Sequence, residues 1–244
     1  MKYLLSIMTL LLTNLAFAQN NSDIFFKNYE RYQEKTLKER RFKHSDIQPL
    51  LSSLEKENGF TVKKLGESIE GRSISMVSVG TGKTTVLLWS QMHGDESTAT
   101  MALFDIFNYL KTNKELLSKL NLHFIPMLNP DGAEKFTRRN ALDVDINRDA
   151  LRLQSPESRV LKGARDSLNA VFGFNLHDQS KYYNAERTEK AATISFLAPA
   201  YNYEKTINDV RGNAMKVIVD MNKVIQKYAP GQVGRYDDSF EPRA

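Results

Sequence analysis

The sequence contains no cysteine, so it has no disulfide scaffold, no cysteine-based structural metal site and no lipid-modified cysteine. It has no block of charge of one sign. The 34 Lys and Arg and 29 Asp and Glu are interspersed, and a net excess that small and scattered gives no footprint for nucleic acid. No apolar run reaches the roughly 20 residues needed to span a bilayer. Internal repeats and low-complexity tracts are also missing. What remains is 244 residues, 41% hydrophobic and 26% charged, a composition that excludes a disordered chain and a polytopic membrane protein.

The first 18 residues stand apart. Lys2 precedes an apolar run from Tyr3 to Leu12, and Ala16-Phe17-Ala18 follows before Gln19. This order of charge, apolar core and small-x-small ending predicts a secretory signal peptide cleaved after Ala18. The expected product is soluble, free of the membrane after cleavage, and secreted or periplasmic. Residues 19–45 read as a helical N-terminal extension, with Phe25, Phe26, Tyr29 and Tyr32 at helical spacing and a mixed-charge run from Lys38 to Lys43. That run reads as a solvated helix face. Residues 46–244 read as the main domain.

Within it, Ser45-Asp46 predicts an N-cap for a helix that carries Ile47, Leu50, Leu51 and Leu54 at helical spacing and is closed by Asn58-Gly59. Short extended runs follow at Phe60–Leu65, Ser73–Val79 and Thr85–Trp89, separated by glycine, and the first two form a hairpin. Ser97–Leu110 reads as an amphipathic helix, Leu122–Leu128 as a strand, and Asn129-Pro130-Asp131-Gly132 as a turn. Leu142–Asp149 reads as loop, Pro156–Ala170 as a helix, Val171–Leu176 and Ile194–Ala198 as strands, and Glu204–Tyr228 as a long helix. Alternating strands and helices after a hairpin predict a three-layer α/β/α domain with a mixed, mostly parallel central sheet.

The four histidines can be weighed singly. His44 lies in the charged extension and His123 inside a strand, and both read as structural. His93 opens His93-Gly94-Asp95-Glu96 just after a strand and before a helix. Side chains three apart across such a turn can face one centre, and a histidine with a carboxylate suits zinc. His177 closes a later strand. Sites in open α/β sheets form at the carboxyl ends of strands, where both histidines are predicted to lie. Two histidines and a glutamate leave the fourth tetrahedral position to water, a catalytic arrangement.

Four separated motifs carry a family resemblance: His93 to Glu96, Asn129 to Gly132, Arg138-Arg139-Asn140 through Asp145-Ile146-Asn147-Arg148, and His177. In this order and spacing the chain resembles the zinc carboxypeptidases of the carboxypeptidase A and B type. The resemblance implies one zinc ion held by His93, Glu96 and His177, and Arg138 polarising the scissile carbonyl. It further implies Asn147 and Arg148 gripping the free terminal carboxylate of a peptide substrate, and Asp145 orienting the first histidine. Asp143 stands where the family has glycine, which puts the local loop conformation in question.

The family's general base is a glutamate on a late strand. Glu241 is followed at once by Pro242 in a polar segment and does not fit that role, so the expectation is a sequence truncated at its C-terminus. Two alternatives stand beside a metallocarboxypeptidase: a murein-peptide amidase or amino-acid deacylase with the same ligand set, and a non-catalytic zinc- or peptide-binding homologue. The preferred terminal side chain and the oligomeric state are not legible.

Overall fold

The computed structural model describes residues 21–180 and 182–236. The expected signal peptide and Glu241 therefore lie outside the described residues. Two compact units are present: residues 32–178, and residues 21–31 with the described part of 179–236. No helix among the described residues is long and apolar enough to cross a membrane.

The larger unit is built on a five-stranded sheet of β1 (Phe60–Glu67), β2 (Ser73–Val79), β3 (Thr84–Ser90), β4 (Leu120–Ile125) and β5 (Phe172–Leu176), in the order β1-β2-β4-β3-β5. The helices of this unit are α1 (His44–Leu54), α2 (Thr98–Leu110), α3 (Lys114–Lys119), α4 (Pro130–Lys135) and α5 (Pro156–Leu168). Strand alternation assigns one apolar face to each layer. Phe124 meets Phe107 of α2 edge to face at 5.0 Å, and Phe60 meets the same ring at 6.4 Å. On the opposite face Ile74, Leu87 and Ile125 pack with Val160, Leu161 and Ala164 of α5. Helices thus cover both faces, giving the expected three layers.

The sheet is mixed, but evenly so rather than mostly parallel. β1–β2 and β2–β4 pair antiparallel, whereas β3–β4 and β3–β5 pair parallel. The reason is placement: β4 inserts between β2 and β3, and running parallel to β3 makes it antiparallel to β2.

Several boundaries also differ from expectation. The extension is helical over residues 21–27 and Tyr29–Tyr32, and residues 33–43 are irregular. Leu37 and Phe42, both buried there, stand five residues apart, about 140° around a helix, so no single helical face buries both. Helix α1 starts at His44, because the Asp46 carboxylate accepts the Lys43 backbone N–H at 2.7 Å and closes a box two to three residues earlier than predicted. The Asn-Pro-Asp-Gly segment opens α4 instead of turning, with Asn129 Oδ1 accepting the Gly132 N–H at 2.9 Å.

In the smaller unit β6 (Ile194–Phe196) pairs in parallel with β7 (Val233–Arg235), a strand not expected from the sequence. Its long helix α6 (Asp209–Ile225) begins five residues later than expected, where Asn208 Oδ1 caps Arg211 N–H at 2.9 Å. Phe26 stacks on Tyr228 at 4.3 Å, and the Tyr228 hydroxyl donates to Asp23.

Candidate metal centre

Parallel pairing sets the site. Ser90 at the end of β3 is in register with Leu176 at the end of β5, so the chain leaves both strands at the same sheet edge, three residues before His93 and one before His177. Gln91 takes a left-handed conformation (φ 50°) and turns the chain sharply. Its side chain donates to Gly94 O at 3.0 Å and accepts from the Thr100 hydroxyl at 2.9 Å, which ties that turn to α2. Gly94 is required by packing: a Cβ there would lie 2.0 Å from the carbonyl carbon of Gly132. Asn129 Nδ2 reaches both Met92 O (3.3 Å) and Arg138 O (3.4 Å). The Asn-Pro-Asp-Gly motif therefore brings the His93 turn and the Arg138 loop together, although none of its side chains joins the metal cluster.

His93, Glu96 and His177 converge, each offering one ligand atom with all three atoms within 4.8 Å of one another. Glu96 Oε1 lies 2.8 Å from His93 Nδ1, and its Oε2 lies 2.6 Å from His177 Nδ1. The two rings stand 4.8 Å apart, centroid to centroid. A tetrahedral zinc with bonds of about 2.1 Å separates its donors by about 3.4 Å, and three donor atoms all within 4.8 Å of one another are close enough to share one ion. The donor set of two imidazoles and one carboxylate fits zinc. His93 Nε2 faces Asp145 Oδ1 at 3.2 Å. With Nε2 donating to Asp145, Nδ1 is the nitrogen left to hold an ion when the ring is neutral, and when the ring is protonated it donates from Nδ1 to Glu96.

Asp145 also accepts the Asn147 backbone N–H on Oδ1 (2.9 Å), and Arg138 donates to its Oδ2 through Nε (3.1 Å) and Nη2 (3.0 Å). The remaining guanidinium nitrogen, Nη1, reaches inward to 3.1 Å from His93 Nδ1 and 3.6 Å from Glu96 Oε1. Arg138 therefore lies against the cluster. Asn147 meets Asn175 Nδ2 at 3.4 Å, and Arg148 is exposed with Nη1 donating to Asn147 O at 3.1 Å. Those two residues adjoin the cluster through Asp145, whose backbone carbonyl accepts the Arg148 N–H at 2.9 Å and whose Oδ1 accepts that of Asn147.

The charges are mutually held. Burial opposes ionisation of Glu96, but hydrogen bonds from His177 and His93 outweigh it and bring its pKa to about 2. Burial likewise works against Asp145, and hydrogen bonding with His93 and the Arg138 charge hold it well below the usual carboxylate range. For His93 burial works against protonation, and bonds to Asp145 and Glu96 overcome it and raise the pKa.

His44 and His123 stand outside the cluster: His44 Nε2 meets Ser73 O at 2.9 Å, and His123 Nδ1 meets the Ser78 hydroxyl at 2.8 Å. Asp178 was missed in the sequence. Its carboxylate accepts the backbone N–H and hydroxyl of Thr98, each at 3.0 Å, and only its adjacency to His177 could have drawn attention to it.

Comparison with known proteins gives a consistent picture. The family model described as zinc carboxypeptidase matches residues 50–193, more than half of the chain. Carboxypeptidase SOL1 of Arabidopsis thaliana is 28% identical over 142 residues, covering 46% of this chain and 28% of that protein. The fold is shared with a metallo-carboxypeptidase from Burkholderia cenocepacia (TM-score 0.64, 19% identity, 81% of this chain and 54% of that one). It is also shared with carboxypeptidase A from Helicoverpa armigera (TM-score 0.61, 18% identity, 80% and 57%). The match to the Arabidopsis protein thus spans less than a third of its length, and those to the two solved chains little more than half.

Proposed function

The chain belongs to the zinc carboxypeptidase family, and we propose on that premise an exported metallocarboxypeptidase that hydrolyses the C-terminal peptide bond of peptides. The observation that carries this reading is the convergence of His93, Glu96 and His177, with both Nδ1 atoms turned to one carboxylate. A zinc ion held by these three would polarise the substrate carbonyl and lower the pKa of a bound water to about 7.

The protein's own groups divide the remaining work. Asp145 keeps His93 in the ligating tautomer and anchors Arg138 by accepting two of its N–H groups on Oδ2. Arg138 Nη1, already beside the cluster, is placed to donate to the carbonyl oxygen as negative charge develops there. Asn147 and Arg148 sit just beyond Asp145, where an amide and a guanidinium can bind the substrate's terminal carboxylate. That pair would make the enzyme an exopeptidase. Export rests on the pattern of residues 1–18.

The test uses the full-length protein on a peptide with a free C-terminus and on the same peptide amidated. Release of the terminal residue only from the free form supports the reading. Cleavage of both forms equally, or a His177→Ala variant that binds as much zinc as wild type, would overturn it.

A further inference from the structure

The mixed-charge run before His44 is an irregular strap rather than a helix face. Burial of Leu37 and Phe42 anchors it to the larger unit. Arg40 lies between these anchors and makes two contacts of a particular kind. Its Nη2 donates to Asp178 Oδ2 at 2.5 Å, and its carbonyl accepts the Ser97 hydroxyl at 2.5 Å. Asp178 directly follows His177, and Ser97 directly follows Glu96. Asp178 in turn accepts from Thr98. The contacts close a ring, from Arg40 to Asp178, to Thr98 and Ser97, and back to Arg40, that spans the two chain segments delivering Glu96 and His177.

We propose that Arg40 is a positioning residue for the metal cluster, tying the Glu96 and His177 segments together and so tightening the hold on a dication. The inference rests on the metal-site reading above. An exposed ion pair between two mobile side chains contributes little, and Arg40 is 60% exposed. Asp178, however, is only 10% exposed and already fixed by the first turn of α2, so the pair has one rigid partner. The second contact of the ring is made by Ser97, which is fully buried. Arg40 thus links two segments whose separation decides whether the carboxylate of Glu96 and the imidazole of His177 face each other.

Electrostatics and positioning predict opposite signs, which makes the test sharp. Removing a cation near a dication site would, by Coulomb's law alone, tighten binding; losing the tie would loosen it. Zinc dissociation constants are measured by chelator competition on full-length wild type, Arg40→Ala, Arg40→Lys and Ser97→Ala. The melting temperature of each metal-free form is recorded alongside.

Groups that directly support a ligand are worth about 10–100-fold in metal affinity. Arg40 acts one contact further out, so Arg40→Ala and Ser97→Ala should each weaken zinc about three- to tenfold. Arg40→Lys, which keeps a donor and a charge, should restore most of the affinity. The metal-free melting temperatures should stay close to wild type. Unchanged or tighter zinc binding by Arg40→Ala overturns the inference, as does a loss that merely follows a fall in metal-free stability. Wild type that takes up no zinc would instead remove the metal-site reading itself, and with it the premise.

Discussion

Asp143 offers the most direct test of how the loop between Arg138 and Asp145 is held. Its φ is 59°, in the left-handed region that glycine adopts freely. Asparagine and aspartate tolerate this region better than other residues do. The turn is closed by Asn140, whose Oδ1 accepts from Leu142 N and Val144 N at 3.0 Å each, and whose Nδ2 donates to the buried Glu157 at 3.2 Å.

The Asp143 side chain is 87% exposed and its ion pair with Arg139 is long, 3.8 Å, so substitutions there act through the backbone. Asp143→Val places a β-branched residue at positive φ and should cost about 1–2 kcal/mol. Asp143→Gly removes the strain but adds unfolded-state entropy of about 0.5–1 kcal/mol, leaving stability near wild type. Because the strained turn separates Arg138 from Asp145, the valine variant should also bind zinc about tenfold more weakly, as the His93–Asp145 contact shifts. Urea unfolding followed by the fluorescence of Trp89, the single tryptophan, gives the first quantity, and chelator competition gives the second. A valine variant as stable and as tight as wild type would refute the reasoning.

Other perturbations follow from the same geometry. Asp145→Asn keeps an acceptor for His93 but loses the charge that holds Arg138, and should weaken zinc about 10–100-fold; a change under twofold in chelator competition would contradict the role assigned to Asp145. In the metal-free protein His93 is raised above its ordinary 6.5, so its contribution is complete below pH 6.5 and fades as pH climbs through the raised value. Glu96, lowered from 4.5 to about 2, contributes fully above pH 4.5 and loses that contribution as pH falls toward 2. Melting curves in the presence of chelator should therefore be highest between these limits, whereas saturating zinc should move the optimum to higher pH because it binds neutral imidazole. A metal-free melting temperature that rises steadily from pH 6 to 8 would count against the described hydrogen bonds.

The sequence displayed those parts of the fold whose signal is local. Strands β1, β2, β3 and β5 and helices α2 and α5 carry their own apolar periodicity, and each appears within a few residues of its expected place. Helix α3 buries none of its residues and so left no pattern to read. β7 is three residues long. The even balance of parallel and antiparallel pairing depends on β4 inserting between β2 and β3, which no single segment encodes. In the site, the three converging ligands lie at strand ends and were legible as such. Asp178, Ser97 and Arg40 were not, because their importance comes from neighbours 57 to 138 residues away in the chain. The Asn-Pro-Asp-Gly segment was visible, but its close approach of Gly132 to Gly94 exists only in three dimensions.

The pairing of β3 with β5 sets an order of assembly. Val86 meets Phe172, a separation of 172 − 86 = 86 residues, and closing so long a span is slow compared with forming the β1–β2 hairpin. His177 cannot approach His93 until this pairing is made, so a partly folded chain with β5 undocked offers an ion only one histidine and one glutamate. A cation taken up here would discriminate the finished sheet from every earlier species, adding about 4 kcal/mol to the finished state at a thousandfold excess over its dissociation constant. Metal uptake would then report, and favour, the docking of β5 in the larger unit.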